Sequence, residues 1–249
     1  MLAKILANLS PVLHLDFSKI LIGGSLIIIT IFILLLSEFY NKEVKNTYEF
    51  TVGVGSWYTV RTQSVMFSLA SGLTSAYGGY IWGDGYYFSY LTIIGTILGY
   101  VSMQAVLTDY SLHLVDRYLL RISYMITLGL TFVYITNLYR TAETLQVALT
   151  PVVIVYLALI GLFFFSSIGP SDIRAMLIFL PFLVAINIDI AAISFVFIGL
   201  AIAGIMKLKR IKNDNIISAV PILPYLTVPY MILIPFVPLI IDINRTAFL

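Results

Sequence analysis

Residues 20–37 read ILIGGSLIIITIFILLLS, a run with no charge and only Gly, Ser and Thr interrupting its aliphatic side chains. A helix rises about 1.5 Å per residue, so about 20 apolar residues match the hydrocarbon layer of a bilayer. In that layer backbone N–H and C=O groups must pair with each other, which a helix achieves within its own segment. The run therefore predicts a membrane-crossing helix. A mildly amphipathic start containing Lys4 and Lys19 leads into it. No convincing small-residue cleavage site follows, so it reads as a retained anchor and not as a removable secretory signal.

Outward from this run, mostly apolar stretches recur at 64–82, 88–108, 122–139, 145–168, 173–188, 190–206 and 217–241. The first of these is weaker, diluted by Ser, Gly and Thr. The last holds Pro221, Pro224, Pro229, Pro235 and Pro238. Each proline ring removes a backbone donor and clashes one turn earlier, so that segment must be kinked or partly re-entrant. The expected fold is all-α, a polytopic transmembrane helix bundle of about eight crossings, or seven if 64–82 only lies near the membrane. Residues 1–89 supply N-terminal anchor helices with a polar connector at 38–63, and residues 90–249 a six-helix core.

Composition agrees. Of 249 residues 60% are hydrophobic and only 10% charged, against roughly a quarter charged in soluble domains. An ordinary soluble globule and a polar disordered chain are both excluded. Fourteen Lys and Arg against twelve Asp and Glu leave a formal charge of +2, too balanced for a nucleic-acid binder. With no cysteine there is no thiolate metal site or Fe–S cluster, and two histidines cannot build a multi-histidine centre. No cofactor and no metal are expected. The partner expected on these grounds is the bilayer.

Lys207, Lys209, Arg210 and Lys212 form the one clearly basic loop, which places it in the cytosol. Counting back through the crossings puts 167–174, 109–121 and 38–63 on the same side. The chain then reads as a multi-pass protein of the plasma membrane.

Acids at the membrane boundary are costly and usually have a task. Several have plain explanations: Asp189 lies in a tight turn, Asp242 ends the last helix, and Glu38 forms an i,i+4 surface pair with Lys42. Asp84 sits in a Gly-Asp-Gly turn, and Asp109 is either interior or at the end of its helix. Asp116 and Asp172 stand apart. Asp116 follows one expected crossing and Asp172 precedes another, with two crossings between them, so a hairpin of helices brings both to one membrane face. Gly169 and Ser171 leave little bulk around Asp172, so a peptide backbone can approach it closely. Structural roles also fit: Asp172 as N-cap of a helix starting at Ile173, and Asp116 as partner of Arg117 or Arg121.

On these residues the chain resembles the type IV prepilin and preflagellin peptidases, aspartyl membrane proteases that remove leader peptides from pilins and archaellins. Asp116 followed by Ile122-Ser123 is similar to the first motif of that family. Gly169-Pro170-Ser171-Asp172-Ile173-Arg174-Ala175, running on to Leu180-Pro181, is similar to the second. The separation of 56 residues and the stretch Ile234-Pro235-Phe236-Val237-Pro238 fit as well. Ser171 stands where the family has Gly or Ala, and Leu120 where a basic residue is usual. The resemblance covers about residues 90–241.

The resemblance implies an endopeptidase acting at the cytosolic face, with Asp116 and Asp172 as its catalytic pair. Two carboxyls at close range share a proton: one activates water, and the other donates to the scissile carbonyl and then to the leaving amine. Arg174 and Arg117 are expected to support the loops, or to act as positive-inside anchors. The implied substrate carries a short basic leader before a hydrophobic helix. A non-enzymatic scaffold or transporter-like subunit is the alternative, as is an inactive homologue that binds leaders.

Overall fold

The computed structural model describes residues 17–40, 42–82, 85–112 and 116–138, with residues 150, 153, 154, 157 and 178 as isolated positions. The continuous segments form five helices: α1 (Phe17–Tyr40), α2 (Glu43–Val52), α3 (Ser56–Trp82), α4 (Gly85–Leu112) and α5 (Arg117–Leu138). The expected crossings beyond residue 139 lie outside the described residues, as do the 167–174 loop and the basic loop. Among the described residues two helical stretches, Phe17–Tyr40 and Phe88–Thr108, are long and apolar enough to cross a membrane.

α4 is the central helix, packed against α1, α3 and α5. Leu91, Ile94, Ile97, Leu98 and Tyr100 on it are completely enclosed. α1 turns Ile27, Thr30, Ile31, Leu34 and Glu38 inward, the i, i+3/i+4, i+7 spacing of one helix face. Its other face is apolar too, and Ile20, Leu21, Ile28, Ile29, Phe32 and Leu36 are exposed along it. The Lys19 ammonium lies 4.8 Å from the centroid of the Tyr80 ring, and Glu38 meets Arg61 at the far end. α1 and α3 therefore run antiparallel.

The Ser, Gly and Thr residues that weaken 64–82 as a crossing have a packing role. Ser64, Ser68, Ser71 and Ser75 recur at three- and four-residue intervals on α3, and all are buried. Opposite them on α4 are Thr92, Gly95, Thr96 and Gly99. A methyl group added at Gly95 would sit 3.0 Å from the Ser71 carbonyl oxygen, and one at Gly99 2.9 Å from Ser68 Cα. The two backbones thus approach to a distance that only glycine permits. Ser68 Oγ donates a 2.7 Å hydrogen bond across the seam to the Thr96 carbonyl. Thr96 Oγ1 turns back to the Thr92 carbonyl of its own helix, at 2.6 Å.

The expected polar connector at 38–63 is mostly helical. α2 occupies Glu43–Val52, and α3 already begins at Ser56, so Arg61 is in the second turn of a long helix and not in a loop. The turn between them places Gly53 at φ 133° and Gly55 at φ 84°, which L-residues with a Cβ adopt only with strain. α2 lies over the end of the bundle: Val44 and Tyr48 pack with Trp57 and Val60, and Leu107 and Leu112 of α4 lie against this cluster. The Tyr48 and Trp57 rings meet edge to face at 5.8 Å.

Candidate functional site

Polar groups of four helices lie toward one end of the bundle. Glu38, near the C-terminal end of α1, is only 4% exposed. Its Oε1 accepts a 2.5 Å hydrogen bond from the Tyr100 hydroxyl and a 3.3 Å one from Gln104 Nε2. Its Oε2 accepts from Arg61 Nε at 3.0 Å. Tyr100 and Gln104 stand one turn apart on α4, so a single helix face presents both donors. The Arg61 side chain is 41% exposed; its stem reaches in from α3 while part of the group stays toward solvent.

This overturns the surface pairing of Glu38 with Lys42. α1 ends at Tyr40, so no helical i,i+4 geometry links the two residues. Lys42 instead sits 5.3 Å from the centroid of the Phe39 ring. The carboxylate is buried and takes its countercharge from another helix.

Three donors converge on both oxygens of Glu38, an arrangement that suits a carboxylate, an acceptor-only group. The same geometry fixes the Gln104 amide: its nitrogen must face Glu38, which leaves Oε1 enclosed without a hydrogen-bond partner among the described residues. Arg61→Met should then strand a buried negative charge. We expect a loss of about 1–3 kcal/mol, below the range for fully buried pairs because Arg61 is partly solvated. Adding Glu38→Gln to Arg61→Met should recover part of that loss in thermal unfolding of the purified chain in detergent. Simple addition of the two single losses would show that the pair is not coupled.

Asp116 opens α5. It is completely enclosed, and its Oδ1 accepts from the backbone N–H of Tyr118 at 2.8 Å and of Leu119 at 3.1 Å. The Leu120 N–H reaches the Asp116 carbonyl at 3.1 Å, the first bond of the helix. Asp116 is thus the N-cap of α5, satisfying two of the donors that a helix start leaves open. The sequence reading offered capping for Asp172 and an arginine partner for Asp116. Arg117 and Arg121 are exposed, and the Arg121 guanidinium lies 5.9 Å from the Tyr118 ring centroid. Asp116 is near enough to Glu38 and Tyr100 for its charge to act on both. Behind it the buried face of α5 carries Ser123, Thr127 and Thr131 at four-residue intervals.

Asp172, Gly169, Ser171 and Arg174 lie outside the described residues. Among the described residues, one end of the bundle holds two enclosed carboxylates, Glu38 and Asp116, and the Arg61 guanidinium. Sequence reasoning singled out Asp116 and passed over Glu38, Arg61, Tyr100 and Gln104. One signal was available: an acid inside an apolar helix, with an arginine and a Tyr-x-x-x-Gln face on the helices that follow.

Among the described residues no group of three or more His, Cys, Asp or Glu side chains is placed to hold a metal ion. Comparison of the chain with protein-family models, with curated proteins and with solved structures finds no match.

Proposed function

We propose that the chain is a multi-pass membrane aspartyl endopeptidase with about eight crossings. It removes short basic leaders from prepilin- or preflagellin-like proteins at the cytosolic face of the plasma membrane. Asp116 and Asp172 share a proton and activate water between them. The observation that carries this reading is Asp116 itself, an acid fully enclosed where a helix begins at the polar end of the bundle. It sits in a sequence pattern resembling that of the leader peptidases. The apolar outer face of α1 supports a lipid setting, since so many exposed Ile, Leu and Phe side chains on one helix are unfavourable in water.

The buried Glu38–Arg61 pair favours a second reading, a non-enzymatic scaffold or transporter-like subunit, in which an interior charge with a partner is the expected feature. Cleavage separates the two. Membranes containing the full chain, incubated with a panel of leader-bearing substrates, should release a product shortened at the junction of leader and hydrophobic helix. Cleavage should persist in chelator, because the two-carboxyl mechanism uses no metal. Intact substrates across the panel would favour the scaffold, and cleavage that requires added metal would replace the carboxyl pair with another mechanism.

A further inference from the structure

We propose that the Glu38–Arg61 pair is a positioning element for Asp116: α4 holds it in place through Tyr100 and Gln104, and it sets the electrostatic surroundings in which Asp116 exchanges its proton. That this serves peptide hydrolysis rests on the peptidase reading; the electrostatic claim does not.

The sequence of α1, the energetics of buried ion pairs and the helix packing support it. Glu38 and Lys19 are the only charges in the 24 residues of α1, and nothing in helix packing requires a charge at that point. Buried ion pairs seldom add stability over apolar side chains of similar size, so the pair is poorly explained as a fastener. Finally, α1 packs against α5 as well as α4, and Tyr100 and Gln104 tie the last turn of α1 to the half of α4 that leads on to Asp116. Among the described residues, the titratable groups of other helices that the Asp116 charge reaches are Glu38 of α1, itself paired with Arg61 of α3, and Tyr100 of α4. On α5 itself the titratable groups nearest in sequence are Arg117, Tyr118, Arg121 and Tyr124, and of these Arg117, Tyr118 and Arg121 are exposed.

The sign follows from charge alone. Glu38→Gln removes a neighbouring negative charge and leaves Arg61 unopposed. Both changes favour the ionised form of Asp116, which then loses its proton at lower pH. Arg61→Met leaves Glu38 unopposed and moves the transition the other way. Charges this close at the edge of a low-dielectric interior should shift it by about half a pH unit or more. Tyr100→Phe removes one of the three donors to Glu38 and keeps the ring, so the core stays filled. It should give a smaller shift with the sign of Glu38→Gln.

The test is an infrared pH titration of the purified full chain in detergent. Protonated Asp116 is identified as the carboxyl C=O band missing from Asp116→Asn. Opposite shifts for Glu38→Gln and Arg61→Met, with Tyr100→Phe following Glu38→Gln, are the expected result. Unmoved midpoints, or shifts of one sign in Glu38→Gln and Arg61→Met, would overturn the proposal; a purely structural role would lower stability and leave the band's pH dependence unchanged. Tyr100→Phe decides the matter if the charge variants fail to fold, an unmoved midpoint counting against the proposal. The acid limb of the cleavage profile should move with the band. A chain that shifts as expected yet cleaves no leader retains the electrostatic role and loses the peptidase reading. A chain that cleaves with unmoved midpoints does the reverse.

Discussion

Asp116→Asn is expected to abolish leader cleavage, with a loss of at least about 10²–10⁴-fold, the usual contribution of a positioned acid or base. The substitution is informative because of what it keeps. Asn also caps helices well, so its side-chain oxygen can still accept from the N–H groups of Tyr118 and Leu119. The start of α5 should therefore stay formed while the ionisable group disappears. Asp116→Ala removes the cap as well, and should cost about 1 kcal/mol of stability on top of the lost activity. A residue that only capped α5 would behave differently, with Asn near full activity and Ala merely less stable. Asp172→Asn should match Asp116→Asn in cleavage, since two carboxyls acting as a unit fail together when either is lost. The measurement is the amount of shortened substrate per unit of membrane-inserted protein. Processing at the normal rate by either variant would remove that residue from the pair.

What could be read from the sequence depended on whether a residue's neighbours lie along the chain or across the bundle. The Phe17–Tyr40 helix was legible because its signal is one-dimensional: an uninterrupted apolar run is a helix of membrane length wherever it packs. The packing role of the 64–82 stretch was hidden for the opposite reason. Its serines and glycines lower its average hydropathy, and only α4 opposite them reveals them as a packing seam. Glu38 was misread because Lys42 is near in sequence, while its actual partners lie 23, 62 and 66 residues away. The capping bonds of Asp116 were not legible, because a cap depends on where the helix begins. The stretch 109–121 contains that start without marking it.

The α3–α4 seam leads to the largest stability effect we expect, from Gly99→Leu. Even the first added carbon of the side chain would lie 2.9 Å from Ser68 Cα and 3.0 Å from the Phe67 carbonyl oxygen. Both are backbone atoms, so no rotamer change relieves the contact and the helices must move apart. Separation weakens the bond from Ser68 to the Thr96 carbonyl and opens gaps where Ser64, Ser71 and Gly95 now meet their neighbours closely. Overpacking of this kind costs about 1–3 kcal/mol and more when backbone has to shift; about 3 kcal/mol or more is expected here. Gly129→Leu is the matched control, because among the described residues nothing lies within 4 Å of a Cβ at that position. There, leucine's better helix propensity should leave stability unchanged or raise it by up to about 1 kcal/mol. Thermal unfolding of both variants in one detergent makes the comparison, and equal midpoints would mean that the seam does not hold α3 to α4. The effect should also reach the polar cluster, because Gly99 directly precedes Tyr100. Pushing α4 away from α3 draws the Tyr100 hydroxyl and Arg61 apart around the Glu38 carboxylate they share. Gly99→Leu that still folds at low temperature should therefore show the Asp116 carboxyl band displaced from its wild-type pH midpoint, and Gly129→Leu should not.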